Sequence, residues 1–375
     1  MKFETSLIHL GEKPFENNPE GDVVKPIHLT STYELLDLEP TGLFYQRYDN
    51  QTRQALETKL AYLEKAKYCI VFSSGMAAIT STLFSLLKPN SKVLAFDDLY
   101  SVIKKVFNNY FPSYNIKVDY VDFTKTTEIT ENYDLVWLES PTNPLMKTIN
   151  TQNLVQKIKN SNPKTIVVFD NTFLSPYFYN PLLDGVDIVV HSLTKYINGH
   201  SDSIGGAIMT NNESFYQKIK EYRNTFGNPL SPFDSYLTLR GLKTLHLRME
   251  KHQENCQLII EYLKTKDFVE KILYPSFANE ISPNVKGFGG TFSFLLSFTQ
   301  EQIKTFIKNL KLISHAVSLG GVESLICLPY YSTHKGIQNI PPNLVRLSVG
   351  IENVDDIIQD LENAFLVATK EKTKA

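Results

Sequence analysis

Lys195 closes the run D-I-V-V-H-S-L-T-K, in which Ile188 to Val190 read as a buried strand; the turn-prone stretch Asn198-Gly199-His200-Ser201 follows. A lysine at such an exit ordinarily carries its charge to solvent along its own methylene stem. Kept inward, it loses solvation, its pKa falls, and a neutral amine becomes available near neutral pH. That amine can form a Schiff base with a carbonyl compound. Ser192 and Thr194, just upstream, offer hydroxyls to an anionic group. Ser74-Gly75-Met76 opens a helix after another apolar strand, and it reads either as an ordinary N-cap or as an anion site built from free backbone amides. Asp170 ends a third apolar strand; buried there, its charge needs a cation such as a pyridinium nitrogen, unless it caps the next turn. Tyr100, after a fourth strand, can stack on a planar ring. Together these residues fit pyridoxal 5′-phosphate (PLP), a phosphorylated pyridine aldehyde that acts as an electron sink.

The elements that must position them follow a pattern. Between about residues 56 and 210, short apolar strands (near 68–72, 92–96, 118–123, 135–138, 166–169, 187–190 and 207–209) alternate with helical stretches near 55–63, 76–87, 101–110 and 151–160. This alternation predicts a largely parallel sheet covered on both faces. Polar residues gather at five strand exits: Ser73-Ser74, Asp97 to Tyr100, Glu139 to Pro144, Asp170 to Thr172, and Ser192 to Lys195. Ligands bind open α/β sheets outside the carboxyl ends of the strands, so these exits describe one site. After about residue 240 the texture changes. A helix is expected over 245–265, strands over 291–298 and 344–349, and a last helix over 354–369. The expected division is an N-terminal extended arm (1–46), a PLP-binding domain (47–244) and a smaller C-terminal α/β domain (245–375).

Other chemistries fit less well. No G-x-G-x-x-G opens the first βα unit and no P-loop exists, which argues against a dinucleotide or nucleoside triphosphate site. A Schiff-base lysine in a (β/α)₈ barrel matches the strand count but leaves Asp170 and the anion-binding turn without a use. A net charge of −2 speaks against nucleic acid or an anionic membrane as partner. No apolar run reaches the length of a membrane span, and no secretory h-region is seen at the N-terminus. The three widely spaced cysteines suit a reduced, cytoplasmic chain, and the histidines lack ligand spacing, so no metal is expected.

The motifs resemble the Cys/Met-metabolism, or trans-sulfuration, family of PLP-dependent enzymes over most of the chain, from about Thr5 to Leu366. They are S-S-G-M-A-A (Ser73 to Ala78), E-S-P-T-N-P (Glu139 to Pro144), D-N-T-F-L-S-P (Asp170 to Pro176), S-L-T-K-Y-I-N-G-H-S-D (Ser192 to Asp202), R-G-L-K-T-L (Arg240 to Leu245), S-L-G-G-V-E-S-L (Ser318 to Leu325) and R-L-S-V-G-I-E (Arg346 to Glu352). The resemblance implies a fold-type I transferase architecture, like that of aspartate aminotransferase. It implies that Lys195 is the Schiff-base lysine and proton shuttle and that Asp170 faces the pyridine nitrogen. Gly75, Met76, Ser192 and Thr194 would hold the phosphate, and Tyr100 would stack on the ring and take part in catalysis. Asn143, Ser324 and Arg346 would orient the substrate α-carboxylate. Tyr45 and Arg47 match a Y-x-R that reaches a neighbouring subunit's phosphate site, which implies a homotetramer of site-sharing dimers.

The implied activity is γ-elimination from a small sulfur amino acid, L-cystathionine first. The runner-up is γ-replacement, joining an O-acylhomoserine to cysteine. Elimination from methionine and β-elimination from cystathionine are further alternatives, and a non-catalytic binding protein is a remote one that Lys195, Asp170 and Arg346 argue against. Departures from the family pattern gather near the substrate: Phe44, Asp49, Gln51, Ser101, Val102, Leu193 and Val317.

Overall fold

The computed structural model describes residues 1–12, 21–35, 37–39, 42–129, 131–278, 280–332 and 340–370. The first unit runs α1 (Phe3–His9), α2 (Gln51–Leu63), β1 (Tyr68–Phe72), α3 (Gly75–Leu86), β2 (Lys92–Phe96), α4 (Ser101–Asn109), β3 (Lys117–Val121) and β4 (Leu135–Glu139). It continues through α5 (Thr151–Ser161), β5 (Ile166–Asp170), α6 (Ser175–Phe178), β6 (Ile188–Ser192), β7 (Gly206–Thr210), α7 (Glu213–Phe226) and α8 (Pro232–Leu242). Its seven strands form one sheet in the order β1-β7-β6-β5-β4-β2-β3. Only β7 runs antiparallel to its neighbours. All five residues of β4 are buried, as expected of a strand covered on both faces.

The parallel strands β1, β2, β4, β5 and β6 all end on the same edge. The connection from β6 to β7 turns back instead of crossing over a helix, so 193–205, with Lys195, lies along that edge. α3 can approach β7 because Gly206 has no side chain; a Cβ there would stand 2.1 Å from the Ser74 carbonyl oxygen.

The second unit contains α9 (Leu245–Lys264), β8 (Val269–Leu273), β9 (Thr291–Leu296), α10 (Gln300–Asn309), β10 (Ser314–His315), β11 (Leu325–Cys327), β12 (Leu344–Ser348) and α11 (Val354–Lys370). Its sheet has the order β10-β11-β12-β9-β8 and is antiparallel except for β10–β11. The start of α9, through Leu245 and Met249, packs into the first core. Its later residues Cys256, Ile259, Ile260 and Leu263 belong to the second. One helix therefore ties the two cores together.

The N-terminal segment is not extended throughout, because Phe3–His9 forms α1. Leu7 is buried, and its carbonyl accepts from the buried Lys59 Nζ of α2 at 2.8 Å. Glu12 pairs with Lys59 and, at 2.8 Å, with Lys243, which fastens the start of the chain to α2 and the end of α8. Residues 13–20, 36, 40 and 41 of the expected arm lie outside the described residues. Helices α7, α8 and α10 were not foreseen from the sequence.

Candidate active site

The polar strand ends converge on a cavity of about 390 Å³. Ser74, Gly75 and Met76 line it from the start of α3, Tyr100 from the end of β2, and Glu139 and Asn143 from the end of β4. Asp170 ends β5 and Thr172 follows it; Ser192 ends β6, and Thr194 and Lys195 follow it. The second unit closes it with Val317, Ser318, Leu319 and Arg346.

Burial, and secondarily the Arg346 charge, lower the Lys195 pKa to about 8. Its Nζ donates to Ser318 Oγ at 2.8 Å, which aims the amine into the cavity. Ser318 is a non-glycine residue at φ 107°, in the left-handed region, a conformation retained where surrounding contacts enforce it. Those contacts include the Arg346 guanidinium, whose Nη2 donates to the Ser318 carbonyl at 2.8 Å. Arg346 Nη1 donates to Asn143 Oδ1 at 2.9 Å. Its buried Nε has no protein partner and remains a donor for a ligand oxygen.

Asp170 accepts from the Thr172 backbone N–H at 3.0 Å. Burial raises its pKa, and it forms no salt bridge among the described residues. Thr172 Oγ1 in turn accepts from the Ser192 N–H at 2.9 Å, linking the β5 and β6 exits. Glu139 lies opposite Asp170 in the parallel register of β4 and β5. Burial and then the Asp170 charge push the Glu139 carboxyl well up. Tyr100 is pushed up as well, by burial and by these two carboxylates, so its phenol stays protonated at neutral pH.

At the other end of the cavity, Ser74 caps α3 by accepting from the Ala77 N–H at 3.0 Å. A Cβ on Gly75 would lie 3.1 Å from the Ser192 Cβ, so glycine lets the helix start approach the serine closely. The Ser192 and Thr194 side chains flank this start.

Two expectations meet a different arrangement. Ser324 is not among the cavity residues: its hydroxyl donates to Glu352 Oε2 at 3.0 Å and accepts from the Gly350 N–H at 2.9 Å. Of the motif's two serines, Ser318, six positions earlier, is the one that lines the cavity. Tyr45 and Arg47 also stand outside this chain's own cavity. They line a separate recess with Arg53, Gly227 and Pro229, where Arg47 Nη1 donates to the Asn224 carbonyl. Glu139, Thr172 and Ser318 carry site contacts that the residue reading did not assign. The signal for the first two was their place at strand exits; for Ser318 it was the S-L-G-G turn.

Asp170 offers a place for a ring cation, the start of α3 a place for an anion, and Lys195 an amine for a carbonyl carbon. PLP carries all three groups, so fold and cavity together define a PLP-dependent enzyme of the mixed α/β type. Residues 4–366 match the model for the Cys/Met metabolism PLP-dependent enzymes. The chain is 42% identical over 384 residues to putative cystathionine gamma-lyase 2 of Caenorhabditis elegans, covering 98% of this chain and 97% of that one. A solved cystathionine gamma-lyase from Lactobacillus plantarum, complexed with L-serine, superposes with a TM-score of 0.91 at 35% identity, over 98% of this chain and 100% of that one. A cystathionine gamma synthase from Xanthomonas oryzae pv. oryzae, in complex with aminoacrylate and cysteine, also reaches a TM-score of 0.91, at 32% identity and 99% coverage of both chains. The chain belongs to the Cys/Met metabolism family of PLP-dependent enzymes.

Proposed function

We propose that this enzyme cleaves L-cystathionine with water to L-cysteine, 2-oxobutanoate and ammonia. The observation that carries the reading is the convergence of the Lys195 amine, the Asp170 carboxylate and the Arg346 guanidinium on one cavity. Bound PLP supplies an electron sink for charge developing at the substrate Cα and Cβ. Lys195 would hold the cofactor at its carbonyl carbon, and its free amine would exchange a proton with the substrate Cα. A pKa near 8 suits that exchange at neutral pH. Asp170 holds the positive ring nitrogen. Gly75, Met76, Ser192 and Thr194 bind the phosphate. Arg346, with Asn143 as its brace, orients the α-carboxylate, and Ser318 takes the part expected of Ser324. Tyr100 covers the ring, and its protonated phenol can supply a proton to the departing sulfur.

Incubation with L-cystathionine should yield 2-oxobutanoate and cysteine, and borohydride should fix the cofactor on a peptide containing Lys195. In Lys195→Ala no fixed cofactor should be found. The equal superposition on a γ-synthase supports a second reading, γ-replacement. Thioether formation from an O-acylhomoserine and cysteine, with no 2-oxobutanoate from cystathionine, would decide for it.

The family resemblance also supports a cytoplasmic homotetramer of site-sharing dimers and a division into arm, PLP-binding domain and C-terminal domain at 46/47 and 244/245. Light scattering tests the assembly. Among the described residues no helix is long and apolar enough to cross a membrane.

A further inference from the structure

Glu139 is a second carboxyl group at the floor of the cavity, beside Asp170, and no part of the proposed reaction uses it. It is 3% exposed. A buried carboxyl next to another is costly unless several donors converge on it. Two do. Its Oε2 accepts from the Tyr100 backbone N–H at 2.9 Å, and the Asn143 backbone N–H lies near enough to favour its charged form. These two residues belong to different arms of the site. Tyr100 opens α4 and presents its ring to the cavity. Asn143 lies four residues beyond Glu139, and its side-chain oxygen holds Arg346 Nη1 at 2.9 Å. Tyr100 is the N-cap of α4, and its own side chain makes no capping hydrogen bond. Arg346 depends on Asn143 and on the Ser318 carbonyl for its placement.

We propose that Glu139 is a positioning residue that ties the cofactor-covering arm to the substrate-carboxylate arm, holding Tyr100 and Asn143 through one carboxyl group. The inference rests on the PLP reading above. Its mark is a coupled effect: a change at Glu139 loosens both cofactor and substrate, although Glu139 is not among the groups assigned to touch either reacting centre. Glu139→Gln keeps one oxygen as an acceptor and loses the other, whereas Glu139→Ala keeps none.

The test titrates PLP into apo-protein, following the visible absorption and circular dichroism of the bound cofactor, and measures KM for L-cystathionine in the holoenzymes. In Glu139→Ala, PLP affinity should fall about tenfold or more and KM should rise by a similar factor, the scale of leaving a buried hydrogen-bond donor without its partner. The cofactor's circular dichroism should change as the Tyr100 ring loses its place. Glu139→Gln should shift all three readouts in the same direction by less, and it carries the test alone if the alanine variant does not fold. Wild-type values for both variants would overturn the proposal, as would a change in PLP affinity with KM unmoved. If wild-type protein itself failed to attach PLP to Lys195, the PLP reading would fall, an outcome distinct from either.

Discussion

In the cofactor-free protein Lys195 is a base whose pKa falls from 10.5 to about 8 on folding. Below about pH 8 the amine is protonated in both folded and unfolded chains, so the full desolvation cost weighs on the folded state. Between about 8 and 10.5 the unfolded chain binds more protons, and stability rises with pH; above 10.5 the cost is gone. Lys195→Met should therefore stabilise the apo-protein at pH 7 by roughly 1–3 kcal/mol, after discounting for partial exposure. The gain should vanish as the pH passes through 10.5, and thermal unfolding across this range checks it. A gain that stayed constant with pH would mean that packing, not charge, sets the effect. At this scale much of the site could be read from the chain: Lys195, Asp170, Tyr100, Ser192, Thr194, Gly75 and Met76 all line the cavity. Ser318 and Ser324 share one motif, and only the backbone course shows that Ser318 is the one lining the cavity. Ser318 does so at φ 107°, a conformation that no side-chain pattern announces for serine.

At the scale of elements, the lysine turn is held from the second unit. Arg248 of α9 donates from Nη1 to the Tyr196 carbonyl at 2.7 Å, and from Nη2 to the carbonyls of Gly241 at 2.9 Å and Ile197 at 3.4 Å. It is buried and forms no salt bridge among the described residues, so backbone carbonyls, with the Thr244 hydroxyl that accepts from its Nε at 3.0 Å, solvate its charge. Arg248→Met removes the donors but leaves the carbonyls buried. It should destabilise the protein by roughly 2–4 kcal/mol in denaturant unfolding, since each orphaned group carries its own desolvation cost. A loss below about 1 kcal/mol would mean that water replaces the guanidinium there. The central parallel strands were legible because burial on both faces demands continuous apolar runs, as in β4, whereas the edge strand β3 is largely exposed. α7 was not: Phe215, Ile219, Tyr222 and Phe226 recur at helical spacing, but of its fourteen residues only Ile219, Arg223 and Asn224 are buried, so its stripe is mostly aromatic and half-covered. Its caps were the readable signal, with Asn212 accepting from the Phe215 N–H and Gly227 closing at φ 74°. α1 is seven residues long, with only Ser6 and Leu7 buried, and its helical form depends on the contact with α2.

Across the whole molecule, Tyr45 and Arg47 bear on how copies of the chain would combine. Both stand outside the cavity of their own chain, and Tyr45 is 41% exposed. The segment around them is well anchored. Asp49 pairs with Lys220 of α7 at 3.3 Å, Gln51 accepts from the Tyr33 hydroxyl at 2.7 Å, and Asn50 caps α2. The unusual Asp49 and Gln51 therefore build a firm base for the two side chains. If Tyr45 and Arg47 complete a neighbouring subunit's phosphate site, each site needs Lys195 from one chain and Arg47 from another. Arg47→Ala should then lose most PLP affinity, and Lys195→Ala should be inactive. Unfolding and refolding the two variants together pairs them at random. Half of the dimers carry one of each; in these, one site collects both lesions and the other has neither. Activity should return to about one quarter of that of the same amount of wild-type protein, as two-fold symmetry with shared sites requires. If Arg47 served the site of its own chain, every mixed dimer would hold two damaged sites, and no activity would return.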